Sequence, residues 1–321
     1  MKFKGKKFLL IGGAGFIGSH TIDLLLKTNA KQIIVYDNFY RGKKSNLEHS
    51  IKDKRVKIFS KKADILNITE LEKAIKNVDG VFLFAALWLM ECHNFPERAF
   101  EVNVKGTFNV INLCVKHKIK KLVFSSSASV YGDSMNNLPI DESHPFNNKN
   151  FYGSTKIACE AMLRAFHYRY GLNFIGLRYM NVYGPRQDYK GAYIAVIMKM
   201  LDNIFENKKP TIFGNGKESF DFISVRDCAR ANLLAMKSKN NNCFLNVCTG
   251  KKTSLKNLAK ILLKLTKSNL KINYKENNLS TTLVKNRIGN PKNAQDKIKF
   301  KSKINLEKGL ADLIKWRINK N

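Results

Sequence analysis

The sequence lacks any apolar run of the roughly 20 residues that a membrane-spanning helix needs. Its longest candidate, Val81–Met90, is too short and predicts a buried strand that continues into a loop. The first residues, Met1–Ile11, combine a basic start with apolar residues but have no small-residue cleavage site, so we interpret them as the first strand. We therefore predict no membrane partner.

Paired metal or disulfide ligands are also missing. The six cysteines are irregularly spaced and form no Cys-x-x-Cys pair, which argues against a disulfide framework and against a zinc site. We expect reduced cysteines and a cytoplasmic location. The six histidines include no His-Glu-x-x-His pair, and we predict no bound metal. The absence of a Gly-x-Ser-x-Gly motif disfavours a serine hydrolase.

Acidic residues are few compared with basic ones. The chain has 57 lysines and arginines but 25 aspartates and glutamates, which gives a net charge of +32. Such an excess is found in nucleic-acid-binding proteins. Here, however, the lysines run from Lys2 to Lys320 without a basic tail or a dominating cluster, and no zinc-finger or RNP-type motif accompanies them. We do not predict a nucleic-acid partner; the positive field would attract anionic small molecules.

What the chain does have is a regular alternation of short apolar runs and helix-length segments up to Gly184. The predicted strands are Lys7–Ile11, Gln32–Tyr36, Val56–Phe59, Val81–Ala85, Lys121–Ser125 and Phe174–Tyr179. The helix-length segments between them include Phe16–Asn29, Phe100–Val115 and Ser154–Tyr170. Alternating strands and helices predict an α/β fold with a doubly wound parallel sheet that is covered on both faces.

After Gly184 the pattern is less regular. We predict, in order, a helix over Ala192–Phe205, a loop at Phe213–Gly216, a strand entering a helix over Phe222–Met236, a strand over Cys243–Cys248, and helices over Thr253–Thr266 and Leu306–Ile318. No repeat or low-complexity linker divides the chain. We therefore predict a larger domain of residues 1–183 with about 222–250, interleaved with a smaller domain of about 184–221 and 251–321.

A glycine-rich turn connects the first predicted strand to the first predicted helix, in the pattern Gly13-x-Gly15-x-x-Gly18. Glycines permit a tight turn that a pyrophosphate can approach closely, and the helix N-terminus supplies N–H donors and a positive dipole. Asp37 ends the second strand, 19 residues after Gly18, where a carboxylate can bind adenosine ribose hydroxyls. Because this carboxylate would repel a 2′-phosphate, the pattern predicts NAD rather than NADP.

A tyrosine and a lysine, Tyr152 and Lys156, begin a later helix with a spacing that places both side chains on one face. An ammonium near a phenol favours the phenolate. Such a tyrosine can accept a proton from a hydroxyl while hydride leaves the same carbon. Tyr40 and Lys44 have the same spacing, in the loop after the second strand, and we assign them no catalytic role. Only the first pair follows a strand that ends in serines, within Lys121–Gly132, at the sheet edge where ligands bind.

Taken in order, these motifs resemble the extended short-chain dehydrogenase/reductases, and more narrowly the NAD-dependent nucleotide-sugar epimerases similar to UDP-glucose 4-epimerase. The resemblance covers nearly the whole chain. The segments that carry it are Gly12–Gly18, Asp37, Asp64-Ile65, Ala85-Ala86, Asn103–Thr107, Ser125–Gly132, Tyr152–Lys156 and Arg178–Pro185. The resemblance implies that the larger domain is a Rossmann-like NAD-binding domain and that the smaller domain binds the substrate.

The resemblance also implies a role for each matching position. The pyrophosphate of NAD would lie against Gly12, Gly15, Phe16, Ile17 and Gly18, and the rest of NAD would contact Asp37, Asn38, Asp64, Ile65, Ala85, Ala86, Asn103, Ser125 and Tyr179. Tyr152 would be the acid/base, Lys156 would also hold the nicotinamide ribose, and Ser127, 25 residues before Tyr152, would be the active-site hydroxyl. The nucleotide sugar would contact Asn181 and Arg287 in addition to Ser127 and Tyr152.

The implied activity is epimerisation at C4 through a transient keto-sugar, with NAD retained in the protein. Dehydration is disfavoured, because Ala128 and Ser129 stand where the 4,6-dehydratases of this family carry an Asp-Glu pair. A net oxidoreductase remains an alternative, since it would use the same Ser-Tyr-Lys chemistry. A non-catalytic NAD- or RNA-binding protein is a further alternative, against which the intact Ser127, Tyr152 and Lys156 argue.

Three features leave the substrate and the assembly open. Phe220 stands where many relatives have an arginine that contacts the nucleotide pyrophosphate, which leaves the nucleotide undetermined. The segment that begins at Trp88 differs from the sequence that is common at this place in the family. Trp88 either shapes the sugar pocket or packs in the core. The helices near Phe100–Val115 and Ser154–Tyr170 pair in a homodimer in this family, although from the sequence alone they could equally cover the sheet.

Overall fold

The computed structural model describes residues 1–60, 63–134, 138–189, 195–276 and 284–319. In these residues the strands are β1 (Lys7–Ile11), β2 (Gln32–Tyr36), β3 (Val56–Ile58), β4 (Gly80–Leu83), β5 (Lys121–Ser127), β6 (Phe174–Tyr179), β7 (Asn181–Tyr183), β8 (Thr211–Phe213), β9 (Ser219–Phe220), β10 (Phe222–Ser224), β11 (Cys243–Val247), β12 (Thr253–Ser254), β13 (Asn273–Lys275) and β14 (Asn286–Arg287). The α-helices are α1 (Phe16–Leu26), α2 (Ile68–Ile75), α3 (Leu89–Asn94), α4 (Pro96–Ala99), α5 (Gly106–Lys116), α6 (Phe151–Tyr170), α7 (Val196–Phe205), α8 (Val225–Lys237), α9 (Leu255–Leu265), α10 (Lys292–Ile298) and α11 (Leu306–Ile318).

Seven parallel strands form the central sheet in the order β11-β6-β5-β4-β1-β2-β3. Side chains alternate between two cores along β1: Phe8 and Leu10 lie in one, and Leu9 and Ile11 in the other. Both faces are therefore buried, which explains why the strands are almost wholly apolar. The strand order reverses between β1 and β4, and at such a point a crevice opens beyond the carboxyl ends of the strands. The predicted doubly wound parallel sheet is confirmed.

A third core lies outside this sheet, among α7, α9 and α11. Tyr183 and Phe222 join it from β7 and β10, two short strands that pair in parallel. The predicted assignment of 251–321 to the smaller domain meets one exception, because Ala294, Ile298 and Phe300 around α10 pack in a core of the central sheet. The division into two domains stays a prediction.

Some boundaries differ from those predicted where the site is formed. β5 extends to Ser127 rather than Ser125, because the ladder with β6 continues up to Tyr179. α6 begins at Phe151 rather than Ser154, since the Asn150 side chain caps it by accepting a 2.8 Å hydrogen bond from Gly153 N. Tyr152 therefore lies inside the first turn of α6.

Other differences lie further along the chain. The helix predicted from Phe100 starts with a π-helical turn, Phe100–Lys105, before α5. The loop predicted after β4 contains a helical turn, because α3 starts at Leu89. Of the helix predicted over Ala192–Phe205, residues 192–194 lie outside the described residues, and α7 accounts for most of the remainder.

Three further properties bear on the expected chemistry. None of the helices in the described residues is long and apolar enough to cross a membrane. All six cysteines are buried and unpaired. Within the described part of the chain, no group of three or more histidine, cysteine, aspartate or glutamate side chains is arranged to hold a metal ion.

Candidate active site

The glycine turn packs backbone against backbone at the switch point of the sheet. Gly12 has a positive φ of 78°. A Cβ on Gly12 would lie 2.6 Å from Ala85 N after β4, and a Cβ on Gly18 would lie 2.5 Å from Gly12 O. Gly15 is the N-cap residue of α1, and no side chain of the described residues caps that end. The first N–H groups of α1 are thus left to an anionic ligand.

Asp37 lies beside this turn because β1 and β2 end in register, with Ile11 opposite Tyr36. Its Oδ2 accepts a 2.8 Å hydrogen bond from Ala14 N, and its Oδ1 accepts one of 2.8 Å from Phe39 N. Burial raises the pKa of Asp37, and these two bonds oppose that effect. Each carboxylate oxygen has a second lone pair, so the group can also accept hydrogen bonds from ribose hydroxyls.

The other residues predicted for the adenosine half of NAD lie close to Asp37. Asn38 Nδ2 donates a 3.1 Å hydrogen bond to Asp64 Oδ2. Ile65 packs against Gly106 at the start of α5, where a Cβ would lie 2.6 Å from Ile65 Cγ2. The polar pair and the apolar side chain together give a surface that suits a ribose and an adenine ring.

Two clefts meet at the glycine turn. The first, of about 420 Å³, is lined by the residues predicted for adenosine, namely Asp37, Asn38, Asp64 and Ile65, and by Ala85, which was predicted to line the cofactor path. The second, of about 430 Å³, is lined by Phe16, Ile17, Gly18, Ser125, Tyr152, Lys156 and Tyr179. Gly12, Gly15 and Ala86 line both clefts. Each volume is within the range of ligand pockets. Two clefts that share this turn suit a dinucleotide, with one half of the molecule in each cleft and the pyrophosphate at the turn.

Tyr152 and Lys156 lie one turn apart on α6 and face the second cleft together. Lys156 Nζ lies 5.6 Å from the centroid of the Tyr152 ring and donates a 2.8 Å hydrogen bond to Ser125 O. The lysine is buried, so this bond to the end of β5 fixes where its charge lies. A cation held beside a phenol in this way stabilises the phenolate.

The three serines at the end of β5 have different partners. Ser126 Oγ donates a 2.6 Å hydrogen bond to Glu160 Oε1. Ser127 Oγ accepts a 3.1 Å hydrogen bond from Ser129 N and donates one of 3.2 Å to Ser129 Oγ. Ser125 Oγ is buried and makes no hydrogen bond among the described residues. Ser125 and Ser126 line the second cleft, whereas Ser127 does not.

A buried ion pair fixes α6 against β6 beneath these serines. Arg178 NH2 lies 2.6 Å from Glu160 Oε2, with side-chain exposures of 1% and 3%. Arg178 NH1 also donates a 2.8 Å hydrogen bond to the Tyr131 hydroxyl. Glu160 is one turn beyond Lys156, and Arg178 precedes Tyr179. Removal of either partner would leave an uncompensated buried charge, at a cost of about 3–5 kcal/mol. It would also disturb the positions of Lys156 and Tyr179.

Tyr179 and Asn103 were both predicted to line the cofactor path. Tyr179 does line the second cleft; its hydroxyl donates a 2.8 Å hydrogen bond to Asn232 Oδ1, and burial raises its pKa. Asn103 lines neither cleft. Its side chain accepts a 2.7 Å hydrogen bond from Leu87 N and donates one of 3.2 Å to Thr155 Oγ1. These bonds connect the loop after β4 to α6, and the predicted contact of Asn103 with the cofactor stays a prediction.

Asn181 and Arg287 come together although they are 106 residues apart; Arg287 NH2 lies 3.5 Å from Asn181 Oδ1. Arg287 Nε and Asn181 Nδ2 are both buried and make no hydrogen bond among the described residues. Burial lowers the pKa of Arg287 to about 10, and interactions with Asp133 and Tyr152 act in the opposite direction. No carboxylate of the described residues forms an ion pair with this guanidinium. A largely enclosed cation without an ion-pair partner is suited to an anion.

Phe220 is the register partner of Arg287 between β9 and β14. Its ring lies 6.2 Å from that of Phe222 in an edge-to-face arrangement. The position where relatives were expected to carry an arginine is therefore apolar and directly beside the unpaired guanidinium. Arg287 therefore has no second arginine from β9 beside it at this point of the small sheet.

Sequence reasoning missed a group of polar residues that line the second cleft. These are Arg41, Lys43, Arg186, Gln187 and Asp188. The first two belong to the segment of Tyr40 and Lys44, and the other three directly follow Pro185. A signal was present, because both segments follow strands at the carboxyl edge of the sheet, where ligands bind in open α/β folds.

Comparisons with known proteins agree with this geometry. The sequence profile described as NAD dependent epimerase/dehydratase family matches residues 8–248. A putative UDP-glucose 4-epimerase of Methanocaldococcus jannaschii is 38% identical over 256 residues, which are 79% of this chain and 80% of that protein. The structure of a UDP-N-acetylglucosamine 4-epimerase of Methanobrevibacter ruminantium, in complex with UDP-N-acetylmuramic acid, has a TM-score of 0.92 at 35% identity and covers 99% of this chain and 100% of that one. A UDP-glucose 4-epimerase of Thermotoga maritima with UDP-glucose has a TM-score of 0.90 at 30% identity, with 98% and 99% coverage.

Proposed function

The chain belongs to the NAD-dependent epimerase/dehydratase family, and from this premise we propose that it is an NAD-dependent C4 epimerase of a nucleotide-linked sugar. The relatives named above are UDP-sugar 4-epimerases, so a UDP-sugar is the first substrate class to test. One observation carries the proposal: Tyr152 and Lys156 line the second cleft together, and the Lys156 ammonium is held by Ser125 O beside the Tyr152 ring. A diphosphate at Arg287 would place the attached sugar near the tyrosine.

The cofactor is NAD, and the described residues fit it. The proposed contacts are Gly12, Gly15, Phe16, Ile17 and Gly18 for the pyrophosphate, Asp37 and Asn38 for the adenosine ribose, Asp64 and Ile65 for the adenine, Ala85 and Ala86 along the path of the cofactor, and Ser125, Lys156 and Tyr179 for the nicotinamide half. The uncapped start of α1 and the unpartnered Ser125 hydroxyl are the observations that favour a ligand there. When bound, NAD supplies a hydride acceptor and donor.

The chain's own residues then move the proton and hold the sugar. Tyr152 takes the proton of the C4 hydroxyl as hydride leaves C4, and Lys156 stabilises the phenolate that makes this transfer possible. The Ser127 hydroxyl holds the reacting oxygen. Arg287 and Asn181 hold the diphosphate, so the keto-sugar can rotate about a fixed anchor. With hydride supplied to the other face of C4, Tyr152 would give the proton back to the oxygen.

Incubation with UDP-, GDP-, CDP- and dTDP-sugars, followed by NMR of the products, tests the proposal. We expect an epimer of at least one sugar without accumulation of NADH. Stoichiometric NADH would instead identify a net oxidoreductase. No turnover of any sugar, together with RNA binding that weakens with salt, would contradict both enzymatic interpretations.

We also propose a homodimer through α5 and α6, with a cytoplasmic role in carbohydrate biosynthesis. The outer faces of these helices expose large aromatic side chains, including Phe108 at 42% and Tyr168 at 80%. The Phe108 ring packs edge-to-face on Phe166 at 5.8 Å, which connects the two helices into one aromatic surface. Exposed apolar patches of this kind are typical of protein interfaces. Light scattering should give the mass of a dimer, and Phe108→Glu should give a monomer.

A further inference from the structure

Residues Gly184–Tyr189, which we name the strap, follow β7 and run beside the second cleft. Two contacts attach the strap to α1: His20 Nε2 lies 2.9 Å from Pro185 O, and Arg186 NH1 lies 2.8 Å from Asp23 Oδ2. A carbonyl oxygen can only accept, so His20 Nε2 carries the proton of this hydrogen bond. Because α1 begins at the glycine turn, these contacts hold the first part of the strap next to the predicted pyrophosphate position.

The other part of the strap reaches the loop after β2. Asp188 Oδ1 lies 3.0 Å from Lys43 Nζ, and Asp188 Oδ2 lies 3.3 Å from Arg41 NH2. The Arg41 guanidinium also lies 4.6 Å from the centroid of the Trp88 ring, and its NH1 lies 3.7 Å from Glu91 Oε2. We name Asp188, Arg41 and Lys43 the clasp. The clasp brings together the segments after β2 and β7. Its Arg41 side chain is held by Trp88 and Glu91 at the start of α3.

We propose that the clasp holds the strap across the cofactor cleft and slows the release of NAD. This inference rests on the proposed function, which needs a cofactor that stays bound between the two hydride transfers. Arg41 lines both clefts, as Gly12 and Gly15 do, so the clasp lies at the junction where the two halves of a dinucleotide meet. A dinucleotide that occupies both clefts has to break the contacts of Asp188 in order to leave.

The strength of the clasp suits a contact that must open and close. The exposed fractions of the three side chains are 33% for Arg41, 45% for Lys43 and 37% for Asp188. Ion pairs with this exposure are individually weak and are screened by salt. Partial burial disfavours the Asp188 carboxylate, but Lys43 and Arg41 outweigh this and lower its pKa, so the clasp stays charged at neutral pH. The clasp therefore slows the release of NAD, and it still opens often enough for NAD to enter the cleft.

The dissociation rate of NAD tests the clasp without any turnover. The full chain is loaded with radiolabelled NAD and chased with unlabelled NAD, as wild type, Asp188→Asn, Lys43→Met and the double variant. We expect each single substitution to raise the rate about 3- to 10-fold. Asp188→Asn removes both of these weak ion pairs, and Lys43→Met removes one of them. The double variant should show less than the product of the single effects, since both substitutions remove the same contact.

A matched control is the surface ion pair between Arg226 and Asp312, at 2.7 Å with exposures of 50% and 32%, whose residues line neither cleft. Asp312→Asn should leave NAD release unchanged. Raising the salt concentration should speed release from wild type more than from Asp188→Asn.

The possible outcomes separate this inference from the proposed function. An unchanged rate in Asp188→Asn overturns the clasp alone, if the wild type binds NAD and turns over a sugar. A slower rate also overturns it, because Asp188 would then compete with the pyrophosphate for Arg41 and Lys43. A wild-type chain that takes up no NAD overturns the clasp and the proposed function together.

Discussion

The spacing Tyr-x-x-x-Lys occurs twice beside the cofactor clefts, and the two copies have different surroundings. Tyr152 and Lys156 lie on α6, and the lysine is buried against the end of β5. Tyr40 lies in the loop after β2 with 52% of its surface exposed, and its ring contacts the guanidinium of Arg98 at 4.4 Å. Lys44 is exposed at the start of a short 3-10 helix. The same four-residue spacing thus gives a paired site in one region and two separate surface residues in the other.

The comparison identifies one physical difference between the two copies, because only the cation of the first is buried. The hydrogen bond from Lys156 to Ser125 O holds its ammonium at a fixed place near the Tyr152 ring. In bulk water a charge interaction at 4 Å is worth about 1 kcal/mol, and it is about four times stronger at the effective dielectric constant of about 20 that also describes buried sites. Lys44, exposed to solvent, can offer Tyr40 only the weaker interaction. Four substitutions measure this difference.

The largest effect is expected for Tyr152→Phe. Loss of the proton acceptor should lower kcat by about 1,000-fold or more, whereas NAD should stay bound because the ring still lines the cleft. Product formation by NMR and the NAD content of the purified protein are the two measurements. Activity within a few-fold of wild type would refute the role of Tyr152 as acid/base.

Lys156→Met comes next. The substitution removes the ammonium that is held beside the Tyr152 ring, so kcat should fall by about 100-fold. Lys156→Arg keeps a cation there and should retain more activity than Lys156→Met, which separates the role of the charge from a structural one. Lys44→Met is the matched control and should leave kcat unchanged.

Arg287→Met tests the anion end of the site. The KM for the nucleotide sugar should rise about 10- to 100-fold, with a smaller change in kcat, because a charge-assisted contact to the diphosphate is lost. Thermal stability should hold or increase, since the guanidinium has no ion-pair partner in the described residues to leave behind. Arg98→Met, next to Tyr40, should leave this KM unaltered. A KM unchanged in Arg287→Met would show that the diphosphate binds elsewhere.

Tyr40→Phe should have the smallest effect. Its hydroxyl is exposed and contacts Arg98 at 3.3 Å, so its removal should change kcat by less than about twofold and stability by no more than about 0.5 kcal/mol. Steady-state kinetics and thermal unfolding are sufficient measurements. A loss of activity comparable to that of Tyr152→Phe would mean that exposure does not distinguish the two copies.

The parts of the site that could be predicted from the sequence are local ones. The glycine turn, the strand before it and the helix after it lie within the first 26 residues, and the bounds of β1, β2 and β6 were predicted as they are found. Strand lengths follow from apolar runs, and the turn follows from glycine spacing. The ends of β5 and α6 were missed, because a ladder with β6 and the Asn150 cap decide them.

By itself, the sequence determined the alternating strands and helices, the phosphate-binding turn with its acidic partner, and a tyrosine and lysine on one helix face. Only the tertiary structure decided that Asn103 bonds to Leu87, that Asp188 meets Lys43 across 145 residues, and that Arg287 has a buried Nε and no ion-pair partner among the described residues. The physical reason is the range of each interaction. Hydrogen-bonded turns and helical spacing act between near neighbours, whereas contacts between distant loops depend on which strands lie side by side in the sheet.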